Sequence, residues 1–162
     1  MAPEATLEFR FAEAMGAFFA SGGMPRMAGR VWAILLVTDA PYMSAAELQA
    51  AVPASAGSIS SATRLLTSLG MIERVPVPGE RRDHFAPRDG AVYDIIRMRL
   101  QQLTAVEDLM SIALEQFGDR SHARSHLEEI HDVYHWYARE FPKLHERFLA
   151  EQRDRATKET RS

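Results

Sequence analysis

Between Ser55 and Arg88 the chain concentrates two kinds of side chain that recognise phosphates and base edges: short hydroxyls and arginines. On a helix turning about 100° per residue, Gly57, Ser60, Ser61, Arg64 and Ser68 fall on one side. Ile59, Ala62, Leu66 and Leu69 take the other side, with Leu65 beside them, and are expected to point into a core. Ser55 and Ser58 stand at the start of the same segment, and its polar side carries no acid. Short side chains let a helix approach a groove closely, serine hydroxyls can bond phosphate or base edges, and arginine can fork onto guanine. Further along, Arg81, Arg82 and His84 gather with Arg74 and Arg88 on or near a second short segment, partly offset by Glu80 and Asp83. The candidate nucleic-acid contacts are therefore Ser55, Gly57, Ser58, Ser60, Ser61, Arg64, Arg81, Arg82 and His84. A solvated helix face and a hairpin tip kept soluble by arginine would use the same residues, so the surrounding elements must decide.

The other side chains that could do chemistry are histidines. His122 with His126, and His131 with His135, are spaced one helical turn apart, and Glu128 stands three residues before His131. One helix of this kind offers two or three ligands at most, whereas the carboxylate–histidine sites of helical bundles draw on several helices. The expectation is no metal site and no cofactor, with the histidines as interface or surface residues. The same residues could give the protein pH sensitivity near neutrality.

The elements that position the serine face are legible. Ser44 and Glu47 have capping-box spacing, Leu48 and Val52 supply one apolar face, and Pro53 stops that first helix. Ser55 should cap a second helix running to about Leu69, with Gly70 in the left-handed terminal position. MIERVPV and RRDHFAP then alternate as two strands around Val77-Pro78-Gly79-Glu80, a tight turn, and Pro76 and Pro78 confine the first strand to an edge. Two helices, a turn and a hairpin with a basic tip make a winged helix-turn-helix. A wing of this kind can reach the phosphate backbone or the neighbouring minor groove.

The stretch from Met24 to Arg88 resembles the MarR-type transcriptional regulators, and more closely their GbsR-like branch. The resemblance is carried by GMPRMAGRVWAILL (Gly23 to Leu36), SISSATRLLTSLGMIERV and PGERRDHF. It implies a homodimer whose terminal helices interlock, whose recognition helices enter successive major grooves, and which releases DNA when a small molecule binds between dimer core and winged unit. For the GbsR-like branch it implies a choline-like ligand.

Outside that core the sequence is helical. Glu4 to about Ala20 carries Leu7, Phe11, Met15 or Ala14, and Phe18 on one face, with Phe19 adjacent, an apolar surface that needs a partner from this subunit or its neighbour. Pro25 suits the first turn of a helix reaching Val37, with Val31, Ile34, Leu35 and Thr38 inward and Trp32 bridging outward. From Asp89 or Asp94 to near Gly118, Val92, Ile96, Leu103, Val106, Met110, Ala113 and Phe117 keep a heptad-like repeat with one fault, Arg99. Ser121 should cap the last helix, in which Leu127, Ile130, Tyr134, Tyr137, Phe141, Leu144 and Phe148 alternate by three and four. That phase continues past Pro142, so a kink rather than a stop is expected there, and the charged tail from Glu151 should fray. The winged unit is too small to cover both long helices, and a twofold dimer solves this with one self-complementary surface. Leu7, Phe11, Leu127, Ile130, Tyr134, Tyr137, Phe141 and Phe148 are its candidate contacts. Phe18, Phe19, Trp32, Tyr134 and Trp136 could line an effector pocket, holding an aromatic acid or a quaternary ammonium. Ordinary core packing is the alternative for each.

The expected fold is thus mostly α with a small β-hairpin wing. It divides into an N-terminal dimerisation helix (1–23), a winged domain (24–88) and a C-terminal helical dimerisation region (89–162). Composition bounds the rest. The chain has 162 residues, no cysteine and a net charge of −3, so disulfides, thiol nucleophiles and thiolate zinc sites are excluded. Residues 24–88 carry seven arginines against five acids, while residues 89–162 carry eleven basic residues against fourteen acids, so a positive unit sits within a negative support. No stretch approaches the length of a membrane span and no leader-like segment opens the chain, so a soluble, cytoplasmic protein with no membrane partner is expected. Glycine-rich phosphate loops, nucleophile elbows and paired carboxylates are missing, which argues against an enzyme. The leading expectation is a homodimer that binds a palindrome in double-stranded DNA under control of a small-molecule effector. A winged adaptor that binds protein and not DNA is the alternative.

Overall fold

The computed structural model describes residues 6–117 and 119–159. Glu4 and Gly118, expected near helix ends, lie outside the described residues, as does the Ser121 side chain expected to cap the last helix. The chain forms α1 (Leu7–Ser21), α2 (Arg26–Val37), β1 (Met43–Ser44), α3 (Ala45–Ala51), α4 (Ala56–Ser68), β2 (Ile72–Val75), β3 (His84–Pro87), α5 (Ala91–Phe117) and α6 (Ser121–Glu159). It is a mostly helical winged helix-turn-helix with a three-stranded antiparallel sheet in the order β1-β3-β2. Two compact units result, one through Val92 and one from Tyr93 onward. The described part of residues 1–23 belongs to the first unit, because α1 packs along α2.

In the first unit, local signals and packing agree. The Ser44 hydroxyl accepts from the Glu47 amide at 3.3 Å, and the Glu47 carboxylate accepts from the Ser44 amide at 2.7 Å. The bonds that the Ser44 amide and the Ser44 hydroxyl donate to the Glu47 carboxylate hold that carboxyl below its ordinary range. Ser55 caps α4 by accepting from the Ser58 amide. At the far end Gly70 has φ +66°, and Met71 and Gly70 donate back to the Leu66 and Thr67 carbonyls, which closes the helix as a Schellman turn. Leu48, Ile59, Leu66, Ile72, Val31 and Val52 are fully buried and form the centre of the core.

Two expectations about α4 change. Leu69 is exposed, and Thr63 takes the fourth core position in its place, with its hydroxyl donating to the Ile59 carbonyl at 3.0 Å. A threonine reads as polar in a hydropathy pattern, yet this internal bond removes the cost of burying it.

The contact of α1 with α2 uses a different side of α1 from the one the large apolar residues suggested. Ala12, Gly16 and Phe19 are buried against α2, whereas Leu7, Phe11 and Phe18 are exposed. A Cβ on Gly29 would lie 2.5 Å from the Met15 carbonyl oxygen, so the two backbones cross where only glycine fits. Glu13 fastens the crossing through Arg26 at 2.9 Å and Arg30 at 2.7 Å.

The hairpin gains a third strand. Met43 and Ser44 pair with Phe85 and His84, so β3 becomes central and β2 stays at an edge, as its prolines require. Two residues are too short a run to leave a period-two signal. The turn closes as expected, with the Glu80 amide donating to the Val77 carbonyl at 3.1 Å.

The second unit consists of α5 from Tyr93 on and α6. The last helix runs through Pro142 without stopping and continues past Glu151 to Glu159, so the tail expected to fray is helical. Among the described residues from Tyr93 on, no side chain reaches full burial. Ile96, Leu109, Ile112, Ile130, Val133, Trp136, Leu144 and Phe148 each remain 40–58 % exposed. None of the described helices is long and apolar enough to cross a membrane.

Candidate nucleic-acid interface

The buried row Ile59, Ala62, Thr63 and Leu66 fixes the rotation of α4, and its other side turns outward. Ser55, Gly57, Ser60, Ser61, Arg64 and Ser68 are all exposed. Gly57 leaves the first turn bare, with only the Ser55 hydroxyl near the position a Cβ would take. Among the described residues the Ser60 and Ser61 hydroxyls have no hydrogen-bond partner, which leaves them for an incoming acceptor or donor. Arg64 is exposed and donates from Nε to the Ser60 carbonyl at 3.3 Å, while its two terminal amino groups make no hydrogen bond among the described residues. Ser58 is more withdrawn. It completes the cap with Ser55, the two hydroxyls 2.9 Å apart, and borders a groove that Pro25 and Met27 close from the start of α2.

The wing separates its charges into paired and unpaired. Arg74 meets Asp83 at 3.3 Å, with both side chains more than half exposed. Arg88 has a structural role: its Nε donates to the Gly70 carbonyl at 2.6 Å, tying the end of α4 to the sheet. Arg81 and Arg82 are exposed and make no ion pair with the acids of the described residues. These two guanidiniums project from the loop between β2 and β3 as its unneutralised cations.

His84 departs from the expectation of an outward contact. It sits in the central strand between Ser44 and Val75, 4 % exposed. Its Nδ1 lies 3.1 Å from the Arg82 carbonyl and its Nε2 3.1 Å from the Glu80 carboxylate, while Tyr42 meets the ring edge-on at 5.1 Å. Both nitrogens are occupied within the fold, so the residue braces the root of the wing. The sequence cue was Tyr42, whose aromatic ring just before a two-residue strand needs a neighbour to cover it.

The aromatic residues considered for an effector divide between the units. Phe18, Phe19 and Trp32 belong to the first, with ring centroids 6.3 Å apart for the first pair and 5.7 Å for the second. Phe19 is buried against Gly29 and serves the core, and Phe18 is 69 % exposed. Tyr134 and Trp136 belong to the second. Tyr134 borders an apolar cleft of about 700 Å³ between α5 and α6, lined also by Ile96, Leu100, Leu103, Val106 and Phe141, with Arg99 as its cation. Trp136 is half exposed and leans edge-on against Tyr137. None of the candidate dimer contacts is fully buried: Leu7, Phe11, Ile130, Tyr137 and Phe148 are exposed, and Leu127, Tyr134 and Phe141 are half-buried.

Comparison with known proteins agrees with this architecture. Residues 90–152 match a family model described as "MmpR5-like MarR family transcriptional regulator". The chain is 39 % identical over 124 residues to the HTH-type transcriptional regulator MmpR5 of Mycobacterium tuberculosis (strain ATCC 25618 / H37Rv), a match covering 76 % of this chain and 75 % of that protein. A solved structure titled "Crystal Structure of a transcriptional regulator" is similar with a TM-score of 0.70 and 34 % identity, covering 88 % of this chain and 98 % of that one. These likenesses are to regulators, not to any class of enzyme, and they carry no preference for the GbsR-like branch.

Proposed function

The chain belongs to the MmpR5-like MarR family of transcriptional regulators, and from that premise we propose that it binds a palindromic operator as a homodimer, with a small molecule modulating the affinity. The observation that carries the reading is the outward serine face of α4, with Arg64 at its centre and unpaired Arg81 and Arg82 on the adjoining wing. In this reading α4 enters the major groove, where Ser60, Ser61 and Gly57 allow close approach and Arg64 reads a base pair. Ser55 and Ser58 hold the first turn of α4 in shape at the phosphates, and the wing arginines take the backbone or the minor groove beside it.

The dimer reading rests on the exposed apolar rows of α1 and α6, from Leu7 and Phe11 to Ile130, Tyr137 and Phe148. A second copy related by a twofold axis would cover them and set two α4 helices about 34 Å apart. The cleft bordered by Tyr134 and Arg99 suits an effector that is apolar with one anionic end. A quaternary ammonium, expected from the GbsR-like resemblance, would meet a cation there instead.

The adaptor alternative makes a different prediction about charge. To test both, the full chain is used to select fragments from sheared genomic DNA, and the enriched fragments are titrated at two salt concentrations. A DNA reader enriches a common inverted repeat, and its affinity falls steeply with salt in proportion to the phosphates contacted. Failure to enrich any sequence, with no salt-dependent binding to duplex DNA, would replace the operator reading with the adaptor.

A further inference from the structure

The objection to a metal site in the histidine-rich last helix was that one helix supplies too few ligands. The fold removes it, because α5 brings a carboxylate to the second histidine pair. His131 and His135, one turn apart on α6, hold their rings nearly parallel, 11° between planes and 5.6 Å between centroids. Glu107 of α5 reaches them from the opposite helix, with its Oε1 2.7 Å from His135 Nδ1. One donor atom from each of the three side chains lies within 4.8 Å of the other two. Glu107 and His131 are withdrawn from water, at 22 % and 25 % side-chain exposure. We propose that Glu107, His131 and His135 form a binding site for a divalent transition-metal ion of the zinc type, joining α5 to α6.

The chemistry favours that class of ion. Zinc bonds to imidazole nitrogen and carboxylate oxygen are about 2.0–2.2 Å, which puts neighbouring ligand atoms about 3.4 Å apart in a tetrahedron. Glu107 has three side-chain torsions with which to close from 4.8 Å to that spacing, and the two ring planes are already nearly parallel. Two imidazoles select borderline ions such as Zn²⁺ or Ni²⁺ over magnesium and calcium, which prefer all-oxygen shells. Three protein ligands leave one position for water. Asp132, whose Oδ1 is 3.3 Å from His131 Nδ1, can orient that ring so that Nε2 faces the ion. An ordinary ion pair would need only Glu107 and His135. The nearly parallel ring of His131 adds a third donor atom to the same cluster. The other pair, His122 and His126, meets edge-on at 90° and belongs to no such cluster among the described residues, so it serves as an internal control.

The test uses the full chain without an affinity tag, cleared of metal with a chelator and titrated with zinc chloride by calorimetry. Thermal melting is followed in parallel. One ion per chain is expected, together with a zinc-dependent rise in melting temperature. Glu107→Gln and His135→Ala should each weaken binding at least tenfold and remove the rise, while His126→Ala leaves both unchanged. Should His135→Ala prove unstable without metal, the isosteric Glu107→Gln carries the test alone. The proposal is overturned if the wild-type chain shows no saturable zinc binding, if Glu107→Gln binds within tenfold of wild type, or if His126→Ala abolishes binding.

Discussion

The two units of this chain bury their apolar residues to very different degrees. In the first, Leu48, Val52, Ile59 and Leu66 are at or near zero exposure, and helices, sheet and caps close around them. In the second, 27-residue α5 and 39-residue α6 also carry many large apolar side chains, yet none among the described residues from Tyr93 on is fully covered. Complete burial of one such side chain stabilises by about 1.5–3 kcal/mol, so the half-exposed row of α6 holds a large unused driving force. A closed unit can fold around itself, whereas an open one of this length calls for a second surface.

The largest effect is expected from a change that spoils the open unit alone. Ile130→Asp combined with Tyr137→Asp places two charges in the proposed seam. We expect dimer dissociation to be favoured by about 4 kcal/mol or more, roughly a thousandfold in the dissociation constant. Sedimentation should show a single chain at micromolar concentration; a variant that still sediments as a dimer would remove those residues from the interface. The closed unit is broken by the opposite kind of change, the addition of one methyl group. Gly29→Ala drives a Cβ to 2.5 Å from the Met15 carbonyl, and over-packing of this sort costs about 1–3 kcal/mol. The melting temperature should fall, and an unchanged melt would mean that α1 and α2 can separate freely.

The proposed DNA-facing side of the closed unit is probed without touching its core. Arg64→Ala should relax sequence preference at one base pair per half-site and cost about 1–3 kcal/mol. If affinity for all sequences falls equally, Arg64 contacts phosphate instead. Arg82→Ala should weaken binding to all sequences alike and lower the salt slope by about one unit, measured by anisotropy across a salt series. The smallest effect is expected at Glu13. Its carboxyl is held below the ordinary range chiefly by the hydrogen bond from Arg30, so its contribution is present above that range. The contribution disappears as pH falls through the depressed folded value. Glu13→Gln should therefore cost up to about 1 kcal/mol at neutral pH, and the gap to wild type should close in acid.

What the sequence revealed follows the same division. Caps, stops and turns are local chemistry, so Ser44 with Glu47, Ser55, Gly70 and Val77–Glu80 are legible and stand where expected. Positions settled by tertiary packing are not. Thr63 is buried because its hydroxyl finds a carbonyl within its own helix, and His84 is buried because Glu80, Arg82 and Tyr42 surround it. Gly29 gives no signal in a hydropathy pattern, although a glycine inside a helix asks what approaches it. In the second unit the apolar phase of α6 was readable, but Glu107 was one acid among many until α5 turned it toward His135. The serine face of α4 was legible because a helix with one apolar row has only one other side to offer.

The most direct measurement is hydroxyl-radical footprinting of a selected fragment bound by the full chain. Two symmetric patches of protection on one face of the duplex, centred about ten base pairs apart, are the expected result for two α4 helices in successive major grooves. A single patch from one chain, or uniform cleavage at saturating protein, would contradict it.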